Sequence, residues 1–223
     1  MGRKLKYPNY SDPNYTNTGE YYVKKWRKEA EQNPHWPLPP DYGNLNNEDR
    51  RAARVALCRR QDTAEHIVIG WHFYCEHYLS RPEYGFYDDY KPPAPFHFCL
   101  IHDIASFPLN MYSCHRDSGK TTTLKSFLLY LGNTRSHFKV IYCKSTKTWM
   151  KYDSQELRNQ WDTNDAIKRD FGETHPRRGK GKWSDDLIWL ASGFRIQFFA
   201  IESAVRGGRP NLAIFDDTEF DDE

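Results

Sequence analysis

The chain has 223 residues, of which 38% are hydrophobic, 16% aromatic and 28% charged. That is enough for one globular domain with additions, and too rich in aromatics for a disordered polymer. No window nears the about 18 uninterrupted apolar residues of a membrane-spanning helix, and the basic start MGRKLKYPNY has no apolar run behind it, so no secretory signal is expected. A cytosolic location without a membrane partner follows.

The formal net charge is +2, but six of the 30 acids lie in the last eight residues. The preceding 215 residues set 32 basic against 24 acidic groups, a formal +8. Such a body permits a nucleic-acid partner without requiring one, because attraction to phosphates needs clustered cations rather than a total. The five cysteines form no CxxC pair and are odd in number, which argues against a zinc site or a disulfide framework.

Residues 1–45 read as a proline-rich arm, since NPHWPLPPDYGN suits neither a helix nor a central strand. Within it, Glu20–Gln32 suits a short helix with Tyr21, Tyr22 and Trp26 on one side, ringed by Lys24, Lys25, Arg27 and Lys28. A surface helix packed by its aromatics is the preferred reading over one that touches DNA. Residues 46–107 read as a helical lead-in. Asn47 is placed to cap EDRRAARVALCRR, and Asp62-x-x-Glu65 has the spacing of a capping box. Ile67, Val68, Trp71, Cys75, Tyr78 and Leu79 then recur at three- and four-residue steps to about Ser80. A loop, PEYGFYDDYKPPAP, precedes a third helix over Phe96–Phe107.

From Pro108 the texture becomes α/β. LNMYSC suits a short strand, HRDSGK a loop, and TTTLKSFLLYLG a helix with Leu124, Phe127, Leu128 and Leu131 on one face and Gly132 as its stop. FKVIYC (138–143) suits a strand buried on both faces, and Lys147–Trp161 a helix. The basic loop HPRRGKGKW leads to DLIWLAS and FRIQFFA, the two strands of a hairpin, and NLAIF (211–215) is a last buried strand. The expected class is α/β: a P-loop NTPase-type, mostly parallel sheet flanked by helices over 108–223, with a helical lead-in.

The sharpest motif is Cys114-His115-Arg116-Asp117-Ser118-Gly119-Lys120-Thr121-Thr122. A P-loop, GxxxxGK[ST], rings phosphates with backbone N–H groups; Cys114 stands where its first glycine belongs, while Ser-Gly-Lys-Thr survives. Gly119 lets the backbone approach the phosphates without a Cβ. Residues His115 to Thr122 would line the nucleotide, with Lys120 on the β/γ-phosphates and the Thr121 hydroxyl on Mg²⁺. An ordinary strand–turn–helix gives the same local pattern, so the acidic partner matters. Leu212-Ala213-Ile214-Phe215-Asp216-Asp217 is four apolar residues ending in two acids. Asp216 suits the metal side, and Asp217 or Glu219 the positioning of an attacking water. Arg116, inside the loop, suits an arginine finger acting in its own subunit or a neighbour's.

CHRDSGKTT, SAVRGGRP and NLAIFDDTE, in that order, resemble the ATPase part of the large terminases, the DNA-packaging motors of tailed bacteriophages. The resemblance covers residues 37–223 and rests on motif order. It extends to Arg206-Gly207 before the acidic strand and to Arg209-Pro210, whose arginines contact phosphates or clamp the sheet edge. It implies an ATPase using ATP and Mg²⁺ to translocate double-stranded DNA. A portal protein, a small terminase subunit and further copies in a ring are the implied partners, at the procapsid portal vertex in the host cytoplasm.

Departures are visible. Asp217 stands where many relatives have glutamate, and no adenine-contacting glutamine precedes the loop, leaving His97 and Phe98 as candidate substitutes. Relatives continue past the position of Glu223 into a coupling motif and a nuclease domain, so the chain reads as a fragment. The DNA-contact candidates are Arg177, Arg178, Lys180 and Lys182, spaced by glycines; a merely solvated loop fits them equally. Two other classes remain open: a helicase-like or other P-loop ATPase, and a nucleotide- or DNA-binding module that hydrolyses nothing.

Overall fold

The computed structural model describes residues 18–87, 90–112, 117–175, 182–201 and 209–218. They divide into two compact units: the described residues up to 80 together with those of 90–127, and residues 81–87 together with the described residues from 128 on.

The first unit is helical. Helix α1 (Thr18–Gln32) lays Tyr22 and Trp26 against α4 (Pro95–Ser106), both aromatics being buried. Part of the expected arm therefore belongs to a core. Tyr21 is 58% exposed and lies off the face on which it was expected. Helix α2 (Asn47–Arg59) is capped by Asn46, not Asn47: the Asn46 side chain accepts from the Asp49 N–H at 2.9 Å, and Glu48 and Asp49 complement the helix start. Helix α3 (Ala64–Tyr74) is likewise capped by Thr63, which accepts from the His66 N–H, rather than by Asp62. One π-helical turn, Cys75–Leu79, follows α3 directly, and Val68, Trp71, Tyr74, Cys75, Tyr78 and Leu79 are buried along the pair.

The aromatics that made the composition unusual form this unit's core. Trp26 stacks on Tyr22 at 5.3 Å and on His72 at 5.5 Å, and Phe98 of α4 meets Trp26 edge-on at 5.1 Å. Burial among these rings lowers the His72 pKa to about 4, so the imidazole packs as a neutral ring. The Trp71 indole N–H donates to Ser126 Oγ at 3.0 Å, tying α3 to the first half of α5 (Lys120–Thr134).

The second unit is α/β. Strands β1 (Lys139–Lys144), β2 (Leu187–Trp189), β3 (Arg195–Ala200) and β4 (Leu212–Phe215) form a four-stranded mixed sheet in the order β2-β3-β1-β4. β1 runs parallel to β3 and β4, while β2 and β3 form the expected antiparallel hairpin, with Gly193 at φ +83° in its turn. Register brings Val140 beside Ile196, and Tyr142 beside Phe198 and Ile214, on one buried face. Helix α6 (Lys147–Thr163) packs on β1 and β3. A short α7 (Asp165–Phe171), not anticipated, starts where Asn164 accepts from the Ala166 and Ile167 N–H groups.

Three expectations fail in the sheet region. Leu109–Tyr112 is not a strand: Leu109 and Met111 are exposed, and the Asn110 amide donates to the carbonyls of Asp103 and Phe107. Its alternating apolar residues imitate a strand's period, but this backbone joins no ladder. β4 is half-buried rather than buried, since Ile214 is 6% and Phe215 65% exposed. Gly132 does not stop α5, which runs to Thr134. A Cβ there would lie 2.5 Å from Trp161 Cζ2 and 3.2 Å from Leu190 Cδ1, so the glycine exists for close packing inside a helix.

Among the described residues no helix is long and apolar enough to cross a membrane. Gly132→Ala is expected to lower stability by about 1–3 kcal/mol through overpacking against Trp161, although helix propensity alone would raise it by about 1 kcal/mol. Denaturant unfolding of the two proteins measures the sign.

Candidate functional site

The sequence-predicted site falls in two segments, one in each unit, and each has its own geometry. In the first unit the chain enters α5 through a tight turn. Asp117 (φ +62°) and Gly119 (φ +79°) both lie in the left-handed region, and the Gly119 carbonyl accepts from the Thr123 N–H at 2.9 Å. Lys120, Thr121 and Thr122 thus form the first helical turn. Ser118 Oγ is buried with no hydrogen-bond partner among the described residues.

Helix α4 holds this turn. The Ala94 N–H donates to His97 Nδ1 at 2.9 Å, and His97 Nε2 lies 2.9 Å from the Ser118 carbonyl oxygen. A carbonyl only accepts, so the proton sits on Nε2 and the ring is neutral. Burial favours that state by lowering the imidazole pKa, against the opposing pull of the Ser118 carbonyl. Six residues further along α4, Asp103 accepts from the Tyr112 hydroxyl through Oδ2 and from His102 through Oδ1. Asp103 is 1% exposed, and burial raises its carboxyl to about 6 in spite of the Tyr112 hydrogen bond.

In the second unit the parallel ends of β1 and β4 carry a buried ionic cluster. The Asp216 N–H extends the ladder by donating to the Cys143 carbonyl at 3.0 Å. The Lys144 ammonium lies 2.7 Å from Asp216 Oδ2, and 3.7 Å from both Asp153 Oδ2 of α6 and Asp217 Oδ2. The Tyr142 hydroxyl is 2.9 Å from Asp216 Oδ2 and 3.1 Å from Asp153 Oδ2. Burial first, then these two carboxylates, push the Tyr142 pKa well up, so the phenol stays a donor. The Lys144, Asp153 and Asp216 side chains are nearly sealed from solvent, whereas Asp217 is half-exposed at a left-handed φ of +47°.

Of the remaining candidates, Lys182 is exposed and its carbonyl accepts from the Trp189 N–H at 2.9 Å, and Arg209 is exposed ahead of β4. His115, Arg116, Arg177, Arg178, Lys180, Arg206, Gly207 and Glu219 lie outside the described residues. The adenine candidates do not hold: Phe98 is 3% exposed within the aromatic core, and both His97 nitrogens are engaged by Ala94 and Ser118.

Sequence reasoning missed Tyr142, Lys144 and Asp153. A lysine closing an apolar strand was a legible signal, because a charge there needs a buried partner. Asp153, within KTWMKYDSQELR, looks like any solvated helix residue. No protein-family model, no curated protein and no solved structure matches this chain.

Two outcomes test these readings. Lys144→Met strands Asp216 and Asp153 without their ammonium and is expected to cost about 3–5 kcal/mol in chemical unfolding. Adding Asp216→Asn to that variant restores most of the loss. For Asp103, the folded unit holds the carboxyl proton more tightly than the unfolded chain does. Its ionised form therefore penalises folding above about pH 6, and the penalty fades as pH falls through that value. Asp103→Asn should melt higher than the parent at pH 8, with the gap closing towards about pH 4; a constant gap across that range contradicts the burial effect.

Proposed function

We propose that this chain is a P-loop ATPase of the kind that drives double-stranded DNA into a viral procapsid, using ATP and Mg²⁺. The observation that carries the reading is the turn at Asp117–Gly119 with Lys120 and Thr121 opening α5. Left-handed residues aim successive N–H groups into a concavity that suits anions, and a helix start adds partial positive charge. A triphosphate is the ligand such a cradle suits when a lysine and a hydroxyl follow immediately.

In this reading Lys120 meets the β/γ-phosphates and Thr121 offers its hydroxyl to the metal. Asp216, at the C-terminal ends of two parallel strands, sits where α/β sheets take ligands, and supplies a hard carboxylate of the sort Mg²⁺ accepts. Asp217 or Glu219 orients the attacking water, and Arg116 stabilises charge on the transferring group. The metal supplies neutralisation of the phosphate oxygens when bound. Convergence of Ser118–Thr121 with Asp216 on one nucleotide is part of the proposal. So are the DNA contacts of Arg177, Arg178, Lys180 and Lys182, the portal and small-subunit partners, the ring assembly and the site of action at the procapsid portal.

A second reading, a nucleotide-binding module without turnover, has one observation in its favour. Lys144 already neutralises Asp216 at 2.7 Å, which lessens the pull of that carboxylate on a cation. Turnover and affinity for Mg-ATP separate the two. The motor reading expects hydrolysis that Lys120→Ala abolishes while circular dichroism stays unchanged. Binding without turnover selects the module, and equal hydrolysis by parent and Lys120→Ala refutes the loop assignment.

A further inference from the structure

We infer that His97 is a positioning residue for the phosphate loop, holding the Ser118–Gly119 peptide in the orientation that a bound triphosphate requires; this rests on the nucleotide reading above. Three observations carry it. The imidazole is itself fixed, because its Nδ1 accepts from the Ala94 N–H at 2.9 Å and the His97 N–H donates to the Ala94 carbonyl at 2.9 Å, which closes the first turn of α4 around the ring. Its remaining nitrogen then has one geometry, with Nε2–H directed at the Ser118 carbonyl 2.9 Å away. The ring also abuts Gly119: a Cβ there would lie 3.3 Å from Nε2, and the φ of +79° already disfavours a side chain.

The consequence is directional. A peptide group has its carbonyl and its N–H on opposite sides. Anchoring the Ser118 carbonyl to His97 therefore turns the Gly119 N–H the other way, away from α4, where a phosphate oxygen can accept from it. Without the anchor, rotation of that peptide points a carbonyl oxygen at the anion and repels it. Tyr112, preceding the motif, is tied to the same helix through Asp103, about 9 Å further along α4 at 1.5 Å per residue. Helix α4 thus holds both Tyr112 and Ser118 by hydrogen bonds. His97 touches no nucleotide in this scheme; it acts through the loop.

The test uses the full chain with two substitutions. His97→Leu fills similar space and removes both side-chain hydrogen bonds. His97→Gln keeps them in kind, since a glutamine at the third helical position reaches back to the N-cap N–H and its amide can donate to Ser118. Hydrogen exchange is read on the peptide spanning residues 112–124, and Mg-ATP affinity is measured by calorimetry. His97→Leu is expected to speed exchange in that peptide and at the Ala94 amide, whose acceptor is lost, but not elsewhere, and to weaken Mg-ATP about tenfold, the factor one ordinary hydrogen bond carries. His97→Gln should stay within about twofold of the parent in both, which a general packing defect would not allow. Unchanged exchange at 112–124 in His97→Leu overturns the inference whatever the affinities are, as does His97→Gln behaving like His97→Leu. If exchange responds as expected but the parent binds no Mg-ATP, the loop is positioned by His97 and the nucleotide reading alone falls.

Discussion

Placing an ammonium in a protein interior costs several kcal/mol unless carboxylates meet it there, and the second unit is organised around meeting that demand. Lys144 closes β1, Asp216 closes β4 and Asp153 comes from α6, so the charge is satisfied only when two strands and a helix occupy their places together. The Tyr142 phenol, on the same face of β1, donates into the cluster and leaves the shared carboxylate oxygens little room to turn. Apolar packing of Val140, Ile196, Phe198 and Ile214 supplies the non-directional part of the stability. The ionic cluster supplies the directional part, because a slip of β4 by one residue would turn Asp216 to the opposite face.

The first unit solves a different problem with different chemistry. Its interior is built from rings, with Trp26 at the centre of contacts from Tyr22, His72 and Phe98. Flat, rigid side chains bury large areas with little rotamer freedom to lose, which lets a few short helices hold a core. That rigidity matters for α4, which carries Phe98 and Ile101 into the core and presents His97 to Ser118 and Asp103 to Tyr112. The turn Asp117-Ser118-Gly119, made of small polar residues and glycine, is held by a hydrogen bond from this neighbouring helix. The catalytic-site reading draws on this directly: a cradle of amides binds an anion well only if it is organised before the ligand arrives.

Between these units, electrostatics divides the proposed chemistry. Amide groups and Lys120 provide positive potential in one, and carboxylates provide the negative potential in the other. Lys144 tempers the second of these, since its ammonium already lies 2.7 Å from Asp216 Oδ2. Both readings share the same turn before α5.

Much of the local structure was legible because its signals are local. Stripes of apolar residues at helical spacing marked α3 and α5, Ser192-Gly193 marked the hairpin turn, and the apolar runs before Lys144 and Asp216 marked β1 and β4. The misses had physical causes of another range. Asn46 and Thr63 cap in place of Asn47 and Asp62 because capping depends on a backbone angle that several adjacent polar residues could adopt. Gly132 imitated a helix stop, yet its lack of a Cβ serves Trp161, a residue 29 positions away in the sequence. LNMYSC had a strand's alternation, but its described part, Leu109–Tyr112, joins no ladder, and hydrogen bonding by neighbours settles that.

By itself, then, the order of residues marked most of the helices, the strands β1 to β4, the turn before α5 and the pair of acids after β4, since these follow from backbone preference and periodicity within a few residues. Only the tertiary structure decided that Lys144 and Tyr142 belong to Asp216, and that His97 belongs to Ser118. Those pairings join residues 21 to 74 positions apart, and a desolvated charge or an oriented peptide is selected by what packs around it in space, which no local pattern encodes.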